Sequence, residues 1–594
     1  MQQPIFQGAI VFTLASLAAA QTTTRLSLDS SGVQGNAPSR APSISDDGRF
    51  VAFGSAAFNL DPADANGYPD IFVRDLAAGT TTIASLAWNG AAGDRESVNP
   101  SISADGRFVL FVSWAANLVP NDTNVCADLF LRDRVAGTLE RISVSSGGVE
   151  GNWDSWHQAT VTPDGRFVAF DSHSWNLVAN DTNGHWDVFV RDRLLGTTER
   201  VSLSGGSAQG NDDSVLGRIS PDGRYVAFLS LAANLVSGDT NGKWDVFVRD
   251  RLLGTTERVS VSNSGAQSNG NVGSFAITPD FRWLAFDSDA TNLVAGGISG
   301  WGDVYVRDRL AGTTQNVSVT SFGQPGNGGS IAPAISADGR CVTFLSVATN
   351  LVAGDANGMQ DVFVHDRAAG STVRASVSSS SVQSDDESAA CSISGDGRLV
   401  AFDSLATNLV AGDTNSGRDV FLRDRGTQAP GSDLCLPGSA GVLACPCGNP
   451  STNSPGGCDN SAATGGAQLL ASGTASIAAD TLAFDTQGET NGAFSVLLQG
   501  SAELPAGVVF GQGVRCVGGT LLRMYASSAP GGALHVPAAG DASVSARAAA
   551  LGSPIAGLAL RWYQIYYRDN VVLGGCPAAS SFNATQALRV LWLP

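Results

Sequence analysis

Short strand-length runs, either wholly apolar or alternating between apolar and polar residues, recur through most of the chain between turn-forming residues. Phe167-Val168-Ala169-Phe170 and Asp187-Val188-Phe189-Val190 are two of them. Alternation over so few residues predicts strands with one buried face, separated by tight turns. The runs also repeat. An Asp-Gly-Arg turn ends at Arg49, Arg107, Arg166, Arg224, Arg340 and Arg398, with Phe281-Arg282 as a degenerate copy, in steps of 58, 59, 58, 58, 58 and 58. An Asp opens a hydrophobic run in step at Asp70, Asp128, Asp187, Asp245, Asp303, Asp361 and Asp419.

Each unit reads as four strands. In the third these are HQATV, FVAFDS, DVFVRDR and TTERVSLS. A repeating four-stranded unit of this size predicts a propeller blade. A fourth-strand Arg recurs at Arg141, Arg200, Arg258 and Arg374, with Ile83 and Asn316 as variants, and one step back from Ile83 lies Arg25. The seventh unit has no fourth strand of its own and runs into GTQAPG. The N-terminal strand is therefore expected to complete the last blade, because closure of the ring hides the free sheet edges. The prediction is an all-β chain with a seven-bladed β-propeller over residues 21–428.

Three segments lie outside the repeat. Residues 1–20 carry an apolar stretch ending in Ala18-x-Ala20, too short for a membrane span and read as a removed signal peptide. Residues 429–465, rich in Gly, Ser, Pro and Asn, read as a linker. Residues 466–594 return to strand-like runs: TLAFDT, AFSVLLQGS, GVVFG, LLRMYAS, SVSARAA, LRWYQIYYRD and ALRVLWL. Their spacing predicts a small β-sandwich-like module.

DGRFVAF and DVFVRDR at this spacing resemble the TolB-like, WD-repeat-like propeller repeats of exported bacterial proteins, over residues 22–428. The resemblance implies a propeller and export to the periplasm, cell surface or medium, and no particular chemistry. TolB itself has six blades and an N-terminal α/β domain, which this chain does not repeat. The C-terminal module resembles small Cys-containing terminal domains of exported bacterial proteins.

Composition narrows the partners. With 35 basic and 54 acidic residues the net charge is −19, which excludes nucleic acid and anionic membrane as partners. Nine cysteines divide into Cys126, Cys341 and Cys391 in the propeller, read as buried thiols, and Cys435, Cys445, Cys447, Cys458, Cys516 and Cys576 beyond it. The second set predicts up to three disulfides in an exported chain, with a zinc site as the alternative.

Residues present in every blade are expected to serve blade geometry, the Arg-Asp-Arg clusters through interblade ion pairs and hydrogen bonds. Function is expected where the copies differ. Trp114, Trp153, Trp156, Trp175, Trp186, Trp244 and Trp301 fall in two loop classes that emerge on one face in an up-and-down blade. They either pack loop on loop or anchor a protein or glycan at the cell envelope, as exposed aromatics do. His157, His173 and His185 belong to blade three on that face, where three imidazoles could hold a transition metal.

Six loops carry Asp-x-Asn ahead of the third-strand Asp. They are Asp64, Asn66 and Asp70; Asp122, Asn124 and Asp128; Asp181, Asn183 and Asp187; Asp239, Asn241 and Asp245; Asp355, Asn357 and Asp361; and Asp413, Asn415 and Asp419. The fifth blade has GGISG instead. Alternating oxygen side chains with a following Gly suit calcium, and the pattern resembles the calcium loops of integrin-type propellers without their first Asp. Equally, Asp and Asn close Asx-turns on their own backbone.

The chain lacks the Gly-x-Ser-x-Gly elbow of a serine hydrolase. The leading expectation is a non-enzymatic exported binding or scaffold protein, with calcium the one cofactor the loops suggest. The alternative is a propeller polysaccharide lyase or glycosidase on blade three, using its histidines or two carboxylates such as Asp154 and Asp181.

Overall fold

The computed structural model describes residues 21–295, 302–426, 432–434, 445, 457–458, 460–464, 466–473, 475–477, 480–510, 512–555, 559–569, 581–585 and 587–592. The segment 1–20, Trp301, the GGISG loop, Cys435, Cys447, Cys576 and most of the linker lie outside them.

Seven four-stranded antiparallel sheets follow one another in the chain. The first blade comprises Ser39–Ile44, Phe50–Ser55, Asp70–Asp75 and Thr80–Ile83, here called inner, second, third and outer strands. The seventh comprises Ser388–Ile393, Leu399–Ser404 and Asp419–Asp424, and its outer strand is Thr22–Arg25 from the chain's start. Thr22 pairs with Asp424 and Arg25 with Phe421, so the ring closes as the repeat arithmetic requires.

Second and third strands are buried on both faces, not on one as their short runs were expected to be, because each blade is sandwiched between two others. One aromatic pair per blade marks this core. Phe53–Phe72 and Phe170–Phe189 are examples, with centroids 6.0 and 5.8 Å apart. The Asp-Gly-Arg turn serves two contacts. Its Arg forms an ion pair with the third-strand Asp of the same blade, as in Arg49–Asp75 and Arg166–Asp192, each at 2.8 Å. Its Gly lies against the preceding blade. A Cβ on Gly165, which has φ +74°, would sit 2.2 Å from the Phe108 ring. In the degenerate fifth copy Phe281 adopts φ +56° and stacks on Tyr225 of blade four, with ring centroids 5.9 Å apart.

The two arginines of Arg-Asp-Arg reach between blades. Arg191 donates to the Ser145 carbonyl of blade two, and Arg193 lies over the Phe108 ring and pairs with Glu140 there. The Asp between them stays within its own blade, so the cluster is interblade only through its arginines.

The C-terminal residues form a six-stranded and a three-stranded sheet. Leu469, Phe484 and Val536 of the smaller sheet share one core with Leu497, Tyr563 and Trp592 of the larger, which is the sandwich arrangement. Cys445 and Cys458 form a disulfide, and Cys516 is disulfide-bonded as well. The run SVSARAA, expected as a strand, is instead the helix Val544–Ala550. Four of its seven residues are Ala, the best helix former, and Val544 and Ala548 bury one face at helical spacing. GVVFG is likewise no separate strand; most of it extends Ala493–Phe510, which pairs with Gly513–Ala529. Among the described residues the free thiol of Cys341 is buried, whereas Cys126 and Cys391 are half-buried, not the buried thiols expected. Among the described residues no helix is long and apolar enough to cross a membrane.

Candidate functional site on blades two to four

One asparagine per blade assembles the face that carries the tryptophans. Asn176, in the loop after the second strand, donates to the Glu150 carbonyl and accepts from the Asn152 amide. Asn59, Asn117, Asn234, Asn292, Asn350 and Asn408 repeat the carbonyl bond. The two loop classes are thus joined on the same face. The Asn-Leu motif that does this was visible in the sequence only as a recurring dipeptide.

Blade three breaks the pattern. Its inner strand pairs only at Thr160–Val161, where the other six inner strands have six residues and one bulge. The cause is the single 59-residue step. The second-strand Ser172 bonds the carbonyl of Asp154, 18 residues back, whereas Ser113 and Ser230 bond carbonyls 17 residues back. Ser155 still takes its usual place through its amide on Ala127, and Thr160 pairs as Arg218 does. The extra residue therefore lies within Trp156–Ala159.

That insertion is tied to three blades. Asn99 of blade two donates to the Trp156 carbonyl at 2.8 Å, and Arg218 of blade four donates to the Gln158 carbonyl at 2.9 Å. His157 Nδ1 lies 2.6 Å from Asp171 Oδ2. Asp171 is buried, and its Oδ1 has no hydrogen-bond partner. Burial brings the Arg218 guanidinium down to about 10, against the pull of Asp171. For His157 burial works to lower the pKa, but the hydrogen bond and charge of Asp171 outweigh it and the value is raised. NMR should therefore show His157 titrating above its ordinary pKa, and Asp171→Asn should bring it below. With the folded value raised, the dyad stabilises the protein fully below the unfolded pKa and loses that contribution as pH rises through the folded one.

Aromatic rings surround the insertion. Trp175, Trp153, His173, Trp186 and His157 follow one another with successive centroids 6.4, 5.9, 5.6 and 5.8 Å apart. Trp156 meets Trp114 edge-on at 5.0 Å. Trp153, Trp156 and Trp175 are exposed. Trp114 and Trp186 are half-buried, and Trp244 packs on the core of blades four and five, away from the chain of rings. A cleft of about 440 Å³ runs from Trp114 and Trp156 toward Arg40, Ala41 and Glu96.

The three histidines do not share a metal. His157 is held by Asp171, His173 packs between Trp153 and Trp186, and His185 bonds Asp213 at 3.1 Å beside Asp212. Of the two carboxylates, Asp154 accepts from the Ala127 amide, and Asp181 is in an ion pair with Arg200.

The same arginine column fills most Asp-x-Asn loops. Arg141 pairs with Asp122 and Asp128 at 3.2 and 3.1 Å, and Arg200 with Asp181 and Asp187 at 2.9 and 3.0 Å. Arg258 likewise holds Asp239 and Asp245, Arg374 holds Asp355 and Asp361, and Arg25 holds Asp413 and Asp419. In these five blades a guanidinium stands between the carboxylates a calcium ion would use. The Asn of each loop closes an Asx-turn, as Asn183 does by accepting from the His185 amide, while its amide donates to the third-strand Asp.

No protein-family model and no curated protein matches the sequence. Among solved structures, an oligogalacturonate lyase from Vibrio parahaemolyticus is 12% identical, with a TM-score of 0.42, over 68% of this chain and 97% of that one. The propeller domain of the Trilobed protease from Pyrococcus furiosus is 11% identical, with a TM-score of 0.40, over 65% and 95%. A putative TolB from Agrobacterium tumefaciens is 14% identical, with a TM-score of 0.30, over 47% and 80%. At these values the likeness says nothing of chemistry, and the propeller stands on its own strand order.

Proposed function

We propose that the protein is an exported, non-enzymatic binding protein whose propeller holds a neutral glycan across blades two and three. The observation that carries this reading is the run of tryptophans around the one inserted residue of the repeat. Indole faces stack on the apolar C–H faces of sugar rings. The polar groups at hand, Glu96, Asn99, Asp212 and Asp213, accept and donate hydrogen bonds to hydroxyls. Three of the four are carboxylates on a chain of net charge −19, which disfavours a polyanionic ligand.

Calorimetry of the full chain against neutral and acidic oligosaccharides tests the reading. Binding is expected with neutral ones, weakened about 10- to 100-fold by Trp156→Ala or Trp153→Ala, as truncation of a central aromatic anchor does. Unchanged affinity in both variants, with an unchanged fold, would remove the rim from consideration.

The His157–Asp171 dyad beside Arg218 favours a second reading, a propeller glycosidase acting on the same neutral ligand or a lyase acting on an acidic glycan instead. Analysis of the same oligosaccharides for new ends, with His157→Ala as control, distinguishes catalysis from binding.

A further inference from the structure

Blade one keeps both loop carboxylates and has lost their arginine. Ile83 stands in the column of Arg25, Arg141, Arg200, Arg258 and Arg374. A second column changes with it. Gln34, Glu150, Gln209 and Gln383 each contact their blade's Asp pair or its arginine, and Ala92 holds that position in blade one. In blade five, where the arginine is also absent (Asn316), Gly297 replaces the first Asp. There the pair was dismantled; in blade one it was not.

Blade one has even gained a charge. Asp61 occupies a column that is Val in the other six copies, Val119 and Val178 among them, and its carboxylate accepts from the Ala63 and Ile83 amides. Asp64 is only 8% exposed, and its Oδ1 has no hydrogen-bond partner. The equivalent Oδ1 atoms of Asp122, Asp181, Asp239 and Asp355 are the ones that grip arginine. Asp70 is fully buried and takes the Ser85 hydroxyl on one oxygen and the Asn66 amide on the other.

We propose that blade one binds a single calcium ion between Asp64 Oδ1 and Asp70 Oδ2, where five of the other six blades place a guanidinium. A hard divalent ion suits two carboxylate oxygens, with water completing its shell through the opening that Ala92 leaves. So few protein ligands correspond to the weak end of calcium sites, with Kd on the order of 10⁻⁴–10⁻³ M. The proposal is independent of the glycan reading.

The test is equilibrium dialysis of the full chain against 5 mM CaCl2, with bound calcium measured by atomic emission, and thermal midpoints with CaCl2 or EDTA. One equivalent per chain and a calcium-dependent rise in midpoint are expected. Ile83→Arg should abolish binding and leave the midpoint insensitive to EDTA. Should that bulky change impair folding, Asp64→Asn must abolish binding on its own. No bound calcium, several equivalents, or one equivalent that survives Asp64→Asn would each overturn the proposal.

Discussion

A chain shortened to begin at Asp29 is expected to lose at least about 5 kcal/mol of stability, although it gives up only eight of the described residues. The loss has three parts. Leu26 leaves the core between blades seven and one, which costs about 2 kcal/mol. Thr23 and Ser27 give up bonds to the Val377 carbonyl and to Asp419. Largest is the departure of Arg25, which leaves Asp413 and Asp419 buried with no cation, a change worth about 3–5 kcal/mol. The third strand of blade seven also becomes an open edge. Urea denaturation followed by circular dichroism should show a lower midpoint or a broadened transition. A midpoint equal to that of the full chain would show that the ring does not depend on its closing strand.

Closure was legible because Arg25 sits one repeat before Ile83, and arithmetic is blind to the length of chain between Arg25 and its partners Asp413 and Asp419. Blade number and strand order were legible for the same reason. Other features were not. SVSARAA has an apolar-polar alternation at its start, and only the neighbours of Val544 and Ala548 decide for a helix. The insertion in blade three was present as the single 59-residue step, but the step alone does not say that the extra residue falls at Trp156–Ala159 rather than in a loop. The loop Asp residues and the outer-strand arginines were each visible as columns. In four blades they lie 13 to 19 residues apart, however, and only the fold shows that they meet, so the sequence offered Asx-turns or calcium for these loops and not an ion pair.

That meeting gives the second large effect. Arg200→Met is expected to destabilise the propeller by about 3–5 kcal/mol at neutral pH, because Asp181 and Asp187 are both buried and would share no counter-charge. Arg166→Met, which breaks the solvent-facing pair with Asp192, should cost far less, because water screens the Arg166 end of that pair. The pH dependence separates charge from packing. Burial already raises the Asp181 carboxyl in the presence of Arg200, and removing the cation raises it further. A carboxyl raised in the folded state favours folding when protonated and loses that contribution as pH rises through its folded value. The penalty of Arg200→Met should therefore shrink as pH falls from 7 toward 4.5, and a second change, Asp181→Asn, should recover much of it at pH 7. Urea midpoints of the three proteins at both pH values give the comparison. A penalty independent of pH would mean that the arginine acts through its packed methylenes, and that the carboxylates of blade one have no unmet need of a cation.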